Sequence, residues 1–324
     1  MARNSRQTGD SSLAVRAAWL HYAGALTQGE VAQRLGVTSA KAHRLIVRAN
    51  EEGVVKVVID GAIAECVNLE ATLAEEFSLA YCEVVPDLGE EPLPLRALGI
   101  AGARFLSREI EREGCRLIGV GHGRTLSSVV RQLPRMPANG TSFVSLLGGL
   151  TRNFAANPHD VMHRLADKTG AEAFAMPVPF FANSAEDREV LLAQRGVRDV
   201  FDLAARSELK FVGIGTVEAG ASLVATGMIE PSEIEAVKAA GGVGEILGHF
   251  FSPRGKAIET ALTARTLSLA REDLGSTKIV AVAGGTTKTC AIRSILMSGL
   301  LSGLITDERT GSALISKTSA KTGG

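Results

Sequence analysis

Residues 27–53, TQGEVAQRLGVTSAKAHRLIVRANEEG, decide how this chain is divided. Thr27 stands three residues before Glu30, and the T-x-x-E spacing predicts a reciprocal capping box that starts a helix. That helix ends at Gly36 with Val31, Ala32 and Leu35 facing inward. Gly36-Val37 makes a tight turn, after which Thr38 or Ser39 caps another helix that runs to about Glu52 and stops at Gly53. Ala42, Leu45, Ile46 and Ala49 form its inward face, while Ser39, Lys41, His43, Arg44 and Arg48 point outward. A short capped helix, a glycine turn and a polar-fronted helix are the pattern of a helix-turn-helix, whose second helix fits the DNA major groove. Thr27, Gln28, Thr38 and Ser39 are candidate DNA contacts near the two helix starts. Lys41, His43, Arg44 and Arg48 are candidates along the second helix, the basic ones for phosphates. Between Thr27 and Asn50, Arg34, Lys41, Arg44 and Arg48 face only Glu30, a local excess of three positive charges. A helical bundle with a solvated basic face would explain the charges but not the spacing.

Upstream, Leu13, Val15, Ala17, Ala18, Trp19 and Tyr22 cover more than one face of a short helix, with Arg16 and His21 left outside. Downstream, VVKVVID at 54–60 is rich in β-branched residues and reads as a strand ending at Asp60-Gly61, a wing or hairpin. A hinge is expected between Gly53 and Val67, then a helix from Leu69 to Phe77. The division is therefore 1–60 for the helix-turn-helix domain and 61–324 for a larger domain. Lysine plus arginine and aspartate plus glutamate balance at 35 each, so any affinity for nucleic acid must come from a local patch. Cys66, Cys82, Cys115 and Cys290 lie far apart, which argues against a zinc site or disulfide framework and for reduced thiols. The start has no apolar run suited to a signal peptide or membrane span. A cytoplasmic protein with frayed ends, the first dozen residues and 316–324, is expected.

From Ala80 onward, short β-rich runs alternate with helical patterns. YCEVVP (81–86), RLIGVG (116–121), SFVSLLGG (142–149), FAMPVP (174–179), LKFVGIG (209–215) and KIVAVAGG (278–285) read as strands, with helices near Leu95 to Arg112 and from Thr125. This rhythm predicts a mostly parallel sheet with crossover helices, in which ligands bind beyond the carboxyl ends of the strands. Four strand-end loops are candidates. GVGHGRTL (119–126) places Gly121, His122 and Gly123 before Arg124-Thr125 at a helix start, where N–H groups and the helix dipole favour a phosphate or polyol edge. A tight βα connection explains the glycines equally well. Its G-x-G-x-G lacks the later acidic residue of a dinucleotide fingerprint, and no cofactor is expected. SLLGGLTRN (145–153) adds Gly148 and Gly149. GGVGEILGHFF (241–251) adds Glu245 as an acceptor for hydroxyls, and VAGGTTKTCAI (282–292) adds Lys288 for a phosphate. Either charge alone reads as solvated surface; together the four loops converge on one pocket.

These motifs in order resemble one family, the SorC-type or sugar-binding DeoR-like transcriptional regulators. The resemblance runs from about Leu13 to Ile315. It rests on 24–55 (GALTQGEVAQRLGVTSAKAHRLIVRANEEGVV), 118–133 (IGVGHGRTLSSVVRQL), 241–255 (GGVGEILGHFFSPRG), 279–292 (IVAVAGGTTKTCAI) and 303–315 (GLITDERTGSALI). It implies an effector domain related to sugar-phosphate isomerase folds, which are Rossmann-like, and a homo-oligomer, dimer or tetramer. It also implies an operator of double-stranded DNA and a phosphorylated sugar as inducer, with Gly121, Gly123, Arg124, Thr125, Glu245 and Lys288 at the effector site. This chain departs from many relatives in His122 before the GRT and in Glu245 where aspartate is common, which implies an effector other than the familiar hexose phosphates. TSAKAHRLI at 38–46 resembles the branch controlling erythritol or related polyol catabolism.

His159 and His163, four apart, lack a nearby third ligand and read as a polar helix face rather than a metal site. Asp307 or Thr306 is expected to cap the last helix. The rival class is an enzyme, a sugar-phosphate isomerase or dehydrogenase with an N-terminal helical domain, using Glu245 as base and Lys288 as electrophile. A helix-turn-helix is superfluous to such an enzyme.

Overall fold

In a computed structural model the described residues are 12–55, 64–150 and 159–319. The chain separates into two compact units, Met1–Gly61 and Ala62–Gly324.

In the smaller unit, helix α1 (12–23) closes with a π-helical turn, Trp19–Ala23. Helix α2 (Gln28–Leu35) begins with the Thr27–Glu30 capping box: Thr27 N–H donates to Glu30 Oε2 at 2.7 Å and Glu30 N–H to Thr27 Oγ1 at 3.4 Å. It ends at Gly36, whose φ of 64° suits a residue without Cβ. Helix α3 (Ser39–Glu51) is capped by Thr38, which accepts from Lys41 N–H at 3.3 Å. Val31, Ala32, Ala42, Leu45, Ile46 and Ala49 are buried, as their spacing requires. The first helix is oriented differently from its apolar pattern. It buries Ala14, Ala17, Ala18 and Leu20, and leaves Val15, Trp19 and Tyr22 exposed, Trp19 by 63%. Small residues allow close helix packing, which carries the bulky ones outward. Val54 and Val55 are not in a strand, and residues 56–60 of the expected wing lie outside the described residues.

The larger unit opens with α4 (Ala64–Glu76), which starts five residues before the expected Leu69 and ends one short of the expected Phe77. Its main sheet comprises β1 (Tyr81–Val85), β2 (Leu117–Val120), β3 (Ser142–Ser145), β4 (Ala173–Phe174), β5 (Leu209–Val212), β10 (Lys278–Val282) and β11 (Gly303–Asp307). Every neighbouring pair is parallel, in the order β1-β11-β10-β5-β2-β3-β4. Alternate residues feed two cores: Ile118, Phe211 and Val280 one, Val144, Val212 and Ile279 the other. This two-sided burial explains the unbroken apolar runs of the strands. Between β1 and β5 lie α5 (Leu95–Glu111), α6 (Arg124–Gln132), α7 (Met162–Thr169), α8 (Ala185–Ala193) and α9 (Arg195–Ala205). A separate antiparallel sheet contains β6 (Gly215–Thr216), β7 (Gly244–Ile246), β8 (His249–Phe251) and β9 (Ala257–Ile258). Helices α10 (Ser222–Ala225), α11 (Pro231–Ala239), α12 (Arg271–Leu274), α13 (Thr289–Met297) and α14 (Glu308–Ser319) complete the unit.

Two expectations need correction. Only Ala173 and Phe174 of the expected strand around FAMPVP pair with β3, because Pro177 and Pro179 have no N–H for a ladder. The chain leaves as a strap bridged at Leu150–Pro179 and Phe181–Thr266. GGVGEILGHFF is no strand-end loop but the β7–β8 hairpin, whose two-residue turn puts Leu247 (φ 50°) and Gly248 (φ 77°) at positive φ. The four cysteines are free, and among the described residues no helix is long and apolar enough to cross a membrane.

Candidate functional site

Strands β2 and β5 lie side by side where the order of the main sheet reverses: the chain builds outward from β2 through β3 and β4, then from β5 through β10 and β11. At such a point two consecutive connections diverge and leave a crevice at the carboxyl ends. A cleft of about 810 Å³, part of it open to solvent, occupies this place. The β2–α6 loop contributes Gly121, His122, Gly123, Arg124 and Thr125 to its lining, the β7–β8 hairpin Glu245 and Leu247, and the turn before α13 Lys288.

Gly123 has φ 123°, a conformation open to glycine, and its carbonyl accepts the first helical hydrogen bond, from Ser127 N–H at 2.9 Å. The N–H groups of the next three residues have no partner inside α6 and carry the positive end of its dipole. Arg124, the first residue of the helix, is exposed, whereas Thr125 is buried. Lys288 Nζ donates to Ile214 O at 2.8 Å. Burial pulls its pKa down to about 8, the Arg124 charge pulls the same way, and Glu245 opposes them. Glu245 is buried in β7, accepting from Gly248 N–H at 2.6 Å. Burial pushes its carboxyl up to about 7 against that hydrogen bond and the Lys288 charge. Gly215 makes room for it: a Cβ there would sit 2.2 Å from Glu245 Oε2.

Gly148 and Gly149 are not among the residues lining the cleft. Gly148 N–H donates to Leu267 O at 2.8 Å and Gly149 N–H to Met176 O at 3.1 Å. A Cβ on Gly148 would lie 2.2 Å from Pro179 O, so this glycine admits the strap. Residues 151–153 of the same expected loop lie outside the described residues. His159 lines the cleft and precedes α7, so it shares no helix face with the exposed His163; burial and the nearby Arg124 charge lower its pKa. Among the described residues no cluster of three or more His, Cys, Asp or Glu is placed to hold a metal. Sequence reading also passed over Gly213 to Thr216, which follow β5 into the cleft; their glycines after an apolar run were the available signal. Asp307 acts at one remove. Its Oδ2 accepts from Gly285 N–H at 2.9 Å and Thr310 Oγ1 at 2.6 Å, and its Oδ1 from Thr310 N–H at 3.0 Å. It thereby caps α14 and pins the loop that carries Lys288.

In the smaller unit Gln28, Ser39, His43 and Arg44 are exposed, with Lys41 partly so. Thr27 and Thr38 are also exposed, but their hydroxyls serve the helix caps. Arg48 is half-buried rather than fully outward, and its Nε lies 2.6 Å from Glu52 Oε1.

Residues 62–316 match the Sugar-bind family, a sugar-binding domain. The erythritol catabolism regulatory protein EryD of Brucella abortus (strain 2308) is 62% identical over 312 residues, 96% of this chain and 99% of that protein. The transcriptional regulator LsrR of Enterobacter sp. (strain 638) is 31% identical over 325 residues, 97% of each. The crystal structure of the full-length sorbitol operon regulator SorC from Klebsiella pneumoniae superposes with a TM-score of 0.68 at 25% identity, covering 95% of this chain and 99% of that one.

Proposed function

Because the chain belongs to the SorC-type family of sugar-binding transcriptional regulators, we propose that residues 1–60 bind operator DNA through a helix-turn-helix and residues 61–324 sense a small phosphorylated polyol or sugar. The observation that carries this reading is the cleft at the ends of β2 and β5, which Arg124, Lys288, Glu245 and the start of α6 line together. The two cations and the helix N–H groups suit a phosphate. The Glu245 carboxyl, poised near neutrality, both gives and accepts hydrogen bonds and suits hydroxyls. The name of the relative that is 62% identical supports erythritol or its phosphate as effector and a polyol catabolic operon as target.

On the DNA side, Ser39, His43 and Arg44 enter the major groove, with Lys41 against phosphate. Thr27 and Thr38 act through the helix caps, and Gln28 meets the backbone beside them. The protein works in the cytoplasm as a repressor, and as at least a dimer, since paired heads read paired half-sites. The effector prefers one state of the larger unit, and that difference in affinity changes operator binding. These relatives carry the names of regulators and not of enzymes, so Glu245 and Lys288 are binding groups rather than a general base and an electrophile.

The test is thermal unfolding against a panel of polyols, sugars and their phosphates, where a ligand at a hundred times its Kd stabilises by about 2.7 kcal/mol. A shift with a phosphorylated polyol, lost in Lys288→Ala, supports the reading; no shift with any compound refutes the effector class. In operator titrations Arg44→Ala weakens DNA binding and leaves the effector shift intact.

A further inference from the structure

Leu247 stands where a leucine is out of place. It is the first of the two turn residues between β7 and β8, at φ 50°, in the left-handed region that Cβ sterics disfavour. Turns of this kind take asparagine, aspartate or glycine there. The backbone is gripped in that shape by its surroundings. Gly248 N–H donates to Glu245 Oε1 at 2.6 Å, and a Cβ on Gly248 would sit 2.5 Å from Thr266 Cγ2 and 3.0 Å from Phe180 Cε2 in the strap. A leucine kept at a strained position points to a role for its side chain. That side chain is 5% exposed and lines the cleft. It bears on the floor, where β2 and β5 end: a Cβ added to Gly121 would come within 3.3 Å of Leu247 Cδ2 and 3.7 Å of Val212 Cα. Leu247 thus joins the glycine loop after β2 to the hairpin that carries Glu245. Its carbon atoms neither donate nor accept hydrogen bonds, so what it contributes to the cleft is volume.

We infer that Leu247 is a specificity-determining residue, a rigid apolar stop that restricts the effector to the length of a four-carbon polyol phosphate and turns away its five- and six-carbon homologues. The inference rests on the sensing function proposed above and adds the residue that sets the ligand's length. A ligand held by its phosphate at the β2–α6 loop and by its hydroxyls at Glu245 meets the side chain that joins those two elements. Each further CHOH unit brings two heavy atoms, and truncating leucine to alanine removes three. The opened site therefore has room for about one unit more and not for two.

The experiment is calorimetric titration of the full chain with erythritol 4-phosphate, ribitol 5-phosphate and sorbitol 6-phosphate, one chemistry in three lengths. The wild type is expected to bind the first most tightly. Leu247→Ala should raise the ratio of five-carbon to four-carbon affinity by about tenfold or more, the scale of one chain unit in a fitted pocket, and still bind the six-carbon ligand worst. Leu247→Gly suits the positive φ, opens the same space and carries the test if the alanine variant does not fold. Leu247→Asn also suits the backbone but matches leucine in size, so it should retain the wild-type order and thereby separate volume from strain. A wild type that does not bind the shortest ligand best, a ratio unchanged in the alanine and glycine variants, or the same rise in Leu247→Asn overturns the inference and leaves effector sensing in place. A wild type that binds none of the three overturns the sensing function, and the inference with it.

Discussion

Replacing Glu245 by glutamine should stabilise the protein by an amount that grows with pH. The buried carboxyl has its pKa raised from 4.5 to about 7, chiefly by loss of hydration. Below pH 4.5 it is protonated in the folded and unfolded chain alike, and ionisation costs nothing. Between pH 4.5 and 7 the unfolded chain has released this proton and the folded chain retains it, so stability falls as pH rises. Above pH 7 the carboxyl is ionised in both states and the full penalty stands. At roughly 1.36 kcal/mol per pKa unit the penalty is about 3 kcal/mol. Glutamine fills nearly the same space and keeps a carbonyl oxygen for Gly248 N–H, but it cannot ionise. In urea unfolding followed by circular dichroism, the variant's advantage over wild type should rise by about 3 kcal/mol from pH 4.5 to 7.5, mostly before pH 7. Stopping at pH 7.5 keeps Lys288, with its pKa near 8, mainly charged. A difference that does not change with pH would refute the reasoning, for it would mean that Glu245 reaches water or a counter-charge well enough to ionise normally.

Gly148→Ala places a methyl 2.2 Å from Pro179 O and should cost about 1–3 kcal/mol in thermal or urea unfolding; a neutral result would show that the strap yields freely. Asp307→Ala removes the acceptor of three hydrogen bonds and the cap of α14. It should cost about 2–4 kcal/mol and also weaken effector binding, read by calorimetry, because the loop carrying Lys288 loses its anchor. Thr27→Ala should destabilise the smaller unit by about 0.5–2 kcal/mol. Trp19, the chain's single tryptophan, reports that unit's unfolding by fluorescence.

Parts of the architecture were legible because they depend on interactions a few residues long. Thr27 with Glu30, Thr38 before α3, and Gly36 at positive φ are local matters of hydrogen-bond supply and backbone sterics. The inward set from Val31 to Ala49 follows from helical spacing. The apolar runs of β2, β5 and β10 announced strands buried on both faces. Periodicity misjudged α1, since the small alanines pack inward while Trp19 stays out, a choice made by the neighbouring helices. It also missed the β7–β8 hairpin, whose Leu247-Gly248 turn lacks the usual asparagine or aspartate.

The sequence by itself determined the two-part division, the parallel α/β plan and most of the chemistry offered to the cleft, because caps, turns and burial patterns are written in short spacings. Only the tertiary structure decided that Gly148 serves the strap, that His159 and Gly213 to Gly215 line the cleft, and that His122 is bound to Ser145. It also set the ionisation of Glu245 and Lys288. Those outcomes depend on which distant strand ends meet and how much water they exclude, and neither is fixed until the sheet closes.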